Sequence, residues 1–333
     1  MTTTSARTVL FHEIGGPDIL TVEEVELPAP GPEEVLVKVE ALGLNRAEAM
    51  LRSGTYYYQP TLPGSRIGYE AAGEVEAVGA GVTGFAPGDK VLSAANFPLS
   101  SHGVHAERVV LPEGSLVPRP SGVDAVTGAA AWLTYTTAYG ALVERAGLVP
   151  GHRVLITGAS SGVGTAAIQV VRRAGAVPIV TTRTEGKRQR LLELGAEHVI
   201  VSDSEDVVKE ARGLTGGRGV DIVLDAIGGP AFAELGGAVV PDGTLVVYGW
   251  LDDQQPILLP RQWPLTVHGY ANITALTGTP EGRHRAAHYL GSGLTDGTLR
   301  PVIAEVYDGL DRIRDAHRLM ESNRHTGKIV VRL

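Results

Sequence analysis

The sequence predicts an α/β protein in which a doubly wound, parallel-sheet domain interrupts a β-rich one. Three observations carry this. Residues 1–128 hold short, β-branched, part-alternating segments separated by Gly and Pro, the pattern of half-buried strands. From Arg153 onward, continuous apolar segments alternate with helical ones, the mark of a parallel sheet covered on both faces. Residues 272–333 return to the texture of the first part and are expected to complete it, leaving 129–271 as the inserted domain.

Taken in order, strands are expected at Thr8–Phe11, Leu20–Leu27, Val35–Leu42, Glu70–Val78 and Lys90–Ala94. Pro28, Pro30, Gly31 and Pro32 separate the second from the third, and Pro87-Gly88-Asp89 forms a turn. Ala129–Ala146, rich in Ala and Leu, predicts a buried helix. The alternating region places strands at Val154–Thr157, Val177–Thr182, Val199–Val201, Asp221–Asp225, Thr244–Tyr248 and Leu265–Gly269, with helices between them. The tail predicts helices at Glu281–Leu290 and Leu310–Ser322 and strands near Val302–Val306 and Lys328–Arg332.

Composition narrows the function. A length of 333 residues suits about two domains. The formal charge of −8 argues against a nucleic-acid or anionic-membrane surface. The lack of cysteine removes disulfides, thiolate nucleophiles and Cys-based zinc sites. Met1–Arg7 lacks the apolar core of a signal peptide and no run of about 18 apolar residues occurs, so a soluble cytoplasmic protein is expected. The 43 glycines, about 13% against a usual ~7%, imply many tight turns and close backbone approaches.

The strongest local signal is RVLITGASSGVG at 153–164, followed by TAAIQVVRRAGA. A buried strand meets Gly158, Gly162 and Gly164 and then a helix, on which Val163, Ala167, Val170 and Ala174 share one face. Gly158 permits the turn, Gly162 lets backbone N–H groups approach a pyrophosphate, and Gly164 allows close helix–strand packing, with Ser160, Ser161 and Val163 also expected to bind the cofactor. A second strand ends about 20 residues later, as a dinucleotide site requires. An NAD site wants Asp or Glu there; this chain has Thr182, Arg183 and Thr184, then Lys187. Hydroxyl and cationic donors suit a 2′-phosphate, so NADPH is the expected cofactor. Arg188 and Arg190 have the competing reading of a solvated helix face.

These features resemble the medium-chain dehydrogenase/reductase superfamily, specifically its zinc-free quinone oxidoreductase branch. The resemblance runs through GGPDILTVEEVELPAPGPEEVLVKVEALGLNRAE (15–48), LRSGTY (51–56), GYEAAGEVEAVGAGVTGFAPGDKV (68–91), TTAYGAL (136–142), GRGVDIVLDAIGG (217–229), GTLVVYG (243–249) and GKIVV (327–331). It implies a GroES-like β-rich catalytic domain interrupted by a Rossmann-type doubly wound cofactor domain, and a homodimer formed through the strand around Leu265–Tyr270. It further implies that Asn45 and Thr137 line the nicotinamide end of the cofactor, with Gly249–Trp250 approaching that ring. Ala226 and Ile227 are expected near the adenosine side, with Asn323 and Lys328 in the C-terminal segment that touches the cofactor. Tyr56 and Tyr69 are the expected substrate-facing residues: a Tyr69 hydroxyl can donate to a carbonyl oxygen, or the ring can simply fill the volume a metal leaves; Asn45 completes the candidate catalytic set.

Zinc-dependent relatives have Cys where this chain has Leu44–Asn45, and His-Glu where it has Tyr69-Glu70. No metal is therefore expected. His102, His105 and Glu107 share a loop and His284 and His288 have helical i,i+4 spacing, but neither set completes a recognised ligand pattern. Glu70 is expected to be structural, partnered by Arg46 or a backbone donor. Tyr57, Tyr58, Phe97 and Trp250 are candidates for an apolar aromatic lining, with plain packing as the alternative. Without a Lewis acid, hydride goes most easily to acceptors that delocalise the resulting charge, a quinone or an α,β-unsaturated carbonyl. Enoyl or alkenal reduction, alcohol dehydrogenation and a non-catalytic NADPH-binding role are the alternatives. TGASSGVG also fits the opening of short-chain reductases, but Tyr248, Tyr270, Tyr289 and Tyr307 lack the Lys four residues on that those enzymes need. A hydrolase elbow centred on Ser160 fits the spacing of 158–162 and makes accidents of everything else.

Overall fold

The computed structural model describes residues 4–252, 254 and 264–333. The chain divides into two compact units, Met1–Leu133 with Thr277–Leu333, and Thr134–Leu276.

The first unit is built on a seven-stranded sheet. Its path runs Ile303–Asp308, Lys328–Arg332, Glu34–Gly43, Glu70–Val78, Lys90–Ser93, Leu116–Pro118, and Arg108–Pro112 also pairs with Glu34–Gly43. Thr21–Leu27, Thr4–Phe11 and Ser65–Arg66 make a three-stranded companion. The C-terminal strand lies antiparallel to Glu34–Gly43, with Val330 opposite Gly43 and Val331 opposite Leu42, so the tail does complete the first sheet. Gly43 is required there: a Cβ would stand 1.9 Å from the Ala129 carbonyl oxygen. Val35, Val37, Val39, Leu42, Val330 and Val331 supply buried apolar surface on these strands.

Sequence periodicity gave no warning of the short helix Arg46–Arg52, whose start is set by chemistry rather than pattern. Asn45 caps it in a box with Glu48, whose carboxylate accepts from Asn45 N at 2.8 Å.

The second unit is a six-stranded parallel sheet. Numbered along this unit, Arg153–Ile156, Val177–Thr182, His198–Val201, Val220–Asp225, Val239–Val247 and Leu265–Gly269 stand in the order 3-2-1-4-5-6, the doubly wound arrangement. Leu155, Ile179, Ile200, Val223 and Leu245 form the centre of one buried layer. On the helix Gly162–Arg173 the buried face is broader than the predicted stripe: it centres on Gly164, Ala167, Ile168 and Val171, while Val163 and Ala174 are half-buried. The predicted helix at Ala129–Ala146 begins earlier, at Ala125, and after Tyr139 widens into a π-turn over Gly140–Arg145. Among the described residues Leu265–Gly269 pairs on one side only, and Val267 is exposed. Among the described residues no helix is long and apolar enough to cross a membrane.

Candidate functional site

In the second unit the Gly-rich turn has the backbone that phosphate binding needs. Gly158 adopts φ +58°, the left-handed region glycine favours. A Cβ on Gly164 would lie 2.5 Å from Ala159 Cα, so only glycine lets the helix start this close to the turn. Ser161 caps that helix, its Oγ accepting from Gly164 N at 3.0 Å.

Around this turn the cations sort into two groups. Lys187 Nζ donates to Ser160 Oγ at 3.0 Å, which ties the loop after the second strand to the turn itself. Burial, and then the neighbouring Arg183, hold the Lys187 ammonium below the ordinary lysine range. Arg183 and Thr184 are exposed beside it, and Thr182 is buried at the strand end. Arg188, by contrast, is committed to Glu185 at 2.7 Å and Glu205 at 3.0 Å, and Arg190 to Glu193 at 3.4 Å. Both arginines thus have carboxylate partners of their own; Arg190 is exposed, and the half-buried Arg188 also donates to the Val199 carbonyl.

A latch that sequence reasoning missed fixes the loop after the fourth strand. Thr157 Oγ1 donates to the buried Asp225 carboxylate at 2.6 Å and accepts from Ala226 N at 2.9 Å. The same carboxylate accepts from Ile227 N and Gly228 N at 3.1 and 2.9 Å. Burial raises the Asp225 pKa, against these donors. Leu251 N and Asp252 N donate to the carbonyls of Ala226 and Ile227, so the Ala226–Ile227 and Gly249–Trp250 loops are joined rather than far apart. A Cβ at Gly249 would reach 2.7 Å from the Ala226 oxygen. Trp250 is 44% exposed; Thr137 is buried on its helix.

In the first unit the site residues rest on buried charge. Lys328 Nζ lies 2.6 Å from Glu70 Oε2, both side chains almost fully buried, and also donates to Asn45 Oδ1. Glu70 Oε1 accepts from Leu133 N at 2.9 Å. Glu70 is therefore structural, but its partners are Lys328 and a backbone donor. The expected Arg46 instead donates to Asn323 Oδ1 and the Met320 carbonyl. Asn323 itself has a left-handed φ of +57°. Asn45 Nδ2 donates to the Gly43 carbonyl and to Glu48, so the amide is held from several directions.

Tyr69, 1% exposed, lies among hydroxyls: Tyr58 at 3.1 Å and Tyr56 at 3.3 Å. Leu99 N donates to the Tyr58 hydroxyl at 3.2 Å. Burial pushes both the Tyr56 and Tyr69 phenols above the ordinary tyrosine range, so they remain protonated donors. Phe97 packs 6.1 Å from the Tyr69 ring, whereas Tyr57 is largely exposed.

The three positions that hold catalytic zinc in zinc-dependent relatives are thus an amide, a neutral phenol and a carboxylate already paired with Lys328. Neither thiolate nor imidazole is among them, and these residues do not fit a catalytic zinc. Elsewhere in this unit the fold assembles a set that sequence spacing did not suggest. Glu48, His105 and His317, all fully buried, bring ligand atoms within 4.8 Å of one another. His105 does not group with His102 and Glu107 as its loop position suggested. The contributing segments are 57 and 212 residues apart in sequence, beyond any local motif.

A Rossmann-type nucleotide sheet carried with a GroES-like β-domain defines the class of medium-chain oxidoreductases. Residues 31–121 match the alcohol dehydrogenase GroES-like domain and residues 194–331 match the zinc-binding dehydrogenase family. The chain is 30% identical over 329 residues to human quinone oxidoreductase, covering 98% of each. The structure of Escherichia coli quinone oxidoreductase complexed with NADPH superposes with a TM-score of 0.91 at 28% identity, covering 98% of this chain and 100% of that one. The CurK enoyl reductase gives 0.85 at 26% identity, over 99% of both. The chain belongs to the medium-chain dehydrogenase/reductase family, in its quinone oxidoreductase-like branch, and is an oxidoreductase.

Proposed function

We propose that the chain is an NADPH-dependent oxidoreductase that delivers hydride to a quinone or another conjugated carbonyl without a catalytic metal. The observation that carries this reading is the donor set at Asn45, Tyr69 and Glu70: two neutral hydrogen-bonding groups and a committed carboxylate, suited to an acceptor that spreads charge rather than one that needs a Lewis acid.

In the second unit, the turn with Gly158, Ser160, Ser161, Gly162, Val163 and Gly164 takes the pyrophosphate at the start of its helix; the Ser161 N–H is already given to the Gly158 carbonyl and shapes the turn. Thr182, Arg183, Thr184 and Lys187 take the 2′-phosphate; the Lys187–Ser160 contact supports this by setting the cation at the mouth of the turn. Thr137 and the joined loops Ala226–Ile227 and Gly249–Trp250 orient the rest of the cofactor. Bound NADPH supplies the hydride. In the first unit, Lys328 and Glu70 hold the Asn45 amide in place, and Asn323 supports the same segment through Arg46. With Leu99 N–H donating to Tyr58, the consistent arrangement has Tyr58 donating to Tyr69, leaving the Tyr69 hydroxyl for Tyr56 or for a substrate carbonyl. The exposed edge of Leu265–Gly269 is the surface for a homodimer.

The test is NADPH oxidation against quinones, enones, aldehydes and simple ketones, with and without EDTA. Turnover with conjugated acceptors, unaffected by chelator, is expected. Turnover confined to simple ketones, or lost with EDTA, overturns the proposal. Tyr69→Phe should lower kcat about 100-fold if its hydroxyl donates to the carbonyl, the lower end of the range for one oxyanion donor. The similarity to an enoyl reductase favours one second reading, reduction of a conjugated C=C bond. Product analysis separates the two: a saturated C–C bond against a hydroquinone or semiquinone.

A further inference from the structure

Three elements of the first unit converge on one buried point. Glu48 comes from the helix Arg46–Arg52, His105 from the segment following His102, and His317 from the helix Ile313–Glu321. All three side chains have no solvent exposure. Among the described residues, neither ring nitrogen of His317 has a hydrogen-bond partner, and the contact of His105 with the Gly43 backbone falls short of good hydrogen-bond geometry. Poorly satisfied imidazole nitrogens gathered at one point in a folded interior call for an occupant that supplies what the protein does not.

The charges around the point favour a cation. Arg52 is paired with Glu321, and Lys328 with Glu70. Glu48 has hydrogen bonds from Asn45 N, Asn45 Nδ2 and Tyr69 N, but no Lys or Arg at ion-pair distance among the described residues. Its ion-pair-range neighbour is the His105 ring, at 3.8 Å. A buried carboxyl group facing two imidazoles, with ligand atoms within 4.8 Å of one another, is an oxygen and nitrogen donor set that borderline divalent ions prefer.

We propose that Glu48, His105 and His317 form a buried structural site for a divalent first-row transition ion of the zinc class. Zinc bound to nitrogen and oxygen at about 2.0–2.1 Å sets its ligand atoms roughly 3.3 Å apart in a tetrahedron. The His105 Nε2–Glu48 Oε2 separation of 3.8 Å needs only a small rotation to reach that value. The N–H donors on Glu48 act as the outer shell that orients a ligating carboxylate. Such an ion would cross-link residues from both ends of the chain, and through Glu48 it would stiffen the backbone at Asn45 and Tyr69. It has no position from which to act as a Lewis acid on substrate, so it is distinct from the zinc of zinc-dependent relatives.

The exposed His284–His288 pair, with rings 4.3 Å apart, can collect metal adventitiously, so the test uses tag-free full-length His284→Ala/His288→Ala protein. This is unfolded and refolded with cobalt(II) or zinc(II), freed of loose metal and analysed by mass spectrometry and visible absorption. About one ion per chain is expected, with the visible bands of tetrahedral cobalt and a melting temperature above that of chelator-treated protein. His317→Gln and His105→Gln should each reduce the metal to background. Should either variant fail to fold, the parent protein's stoichiometry decides alone. Less than about 0.1 ion per chain in folded parent protein overturns the proposal, and leaves the three groups as a proton-sharing cluster with Glu48 neutral.

Discussion

The two units handle polar groups in opposite ways. In the nucleotide unit the candidate groups are backbone N–H donors in a glycine-rich turn, shaped by the local bond of Ser161 to Gly164 and braced from the neighbouring strand by Thr157 to Asp225. In the GroES-like unit they are side chains sunk in the interior: Lys328 joins Asn45 and Glu70 from far along the chain, and Tyr69 is held by Tyr56 and Tyr58 of a nearby loop. The first design would present N–H groups to a phosphate, with the buried Asp225 carboxylate satisfied by hydrogen bonds rather than by a cation. The second accepts the cost of burying ions and fixes the direction of a few neutral donors in return. Damage should therefore show as lost cofactor affinity in one unit and as lost stability in the other.

The largest effect expected is in the buried network. Lys328→Met leaves the Glu70 carboxylate without its cation, and should lower unfolding free energy by about 3–5 kcal/mol. Lys328→Met/Glu70→Leu removes both charges and should recover most of that loss. Urea denaturation of the two variants measures it; a double variant no better than the single one would mean that the cost lies in packing, not charge.

Next comes Gly164→Val, which breaks the turn without touching a charge. Its Cβ would overlap Ala159 backbone at 2.5 Å, where neither side can retreat cheaply. NADPH affinity should fall on the order of 100-fold, with a stability loss of about 1–3 kcal/mol, the range for overpacking. Fluorescence titration with NADPH reads the first and urea denaturation the second. Stability lost with affinity intact would blur the contrast between the units.

A smaller and more selective change tests the cation cluster. Arg183→Ala/Lys187→Ala should raise the NADPH Michaelis constant roughly 10- to 100-fold and leave the NADH value nearly unchanged, because only NADPH carries the 2′-phosphate. Equal changes for both cofactors would remove these residues from that role.

The difference between the units also governs what could be read from sequence. The parallel sheet and its turn were legible because the chain carries them in contiguous form: the strand Val177–Thr182 has the predicted limits, and the turn at Gly158–Gly164 is complete within one segment. Asn45 and Tyr69 stood out only through resemblance to relatives, since their support comes from residues tens to hundreds of positions away. No periodicity connects Glu70 to Lys328, or Glu48 to His105 and His317. Arg46 was the plausible partner for Glu70 because it is basic and near Asn45; the fold instead turns it toward Asn323 and the Met320 carbonyl. The short helix Arg46–Arg52 was missed because a cap, not an apolar stripe, defines it. Charge pairing in the interior is set by topology, and topology enters the sequence only as the sum of many weak preferences.

The smallest effect is the pH dependence of cofactor choice. Lys187 binds the 2′-phosphate as an ammonium, and in the free protein burial and Arg183 depress its pKa below the ordinary lysine value. The group therefore loses its proton earlier than a solvated lysine as pH rises. The 2′-phosphate is already mostly dianionic above about pH 7, so it contributes no further change in that range. Preference for NADPH over NADH, measured as the ratio of dissociation constants, should hold near neutrality and decline severalfold by about pH 10. Arg183→Ala removes the nearby like charge, so it should lower the preference overall while moving the decline to higher pH. A ratio that stays flat to pH 10 in the unaltered protein, or a decline that moves to lower pH in the variant, would mean that Lys187 and Arg183 do not share one anion.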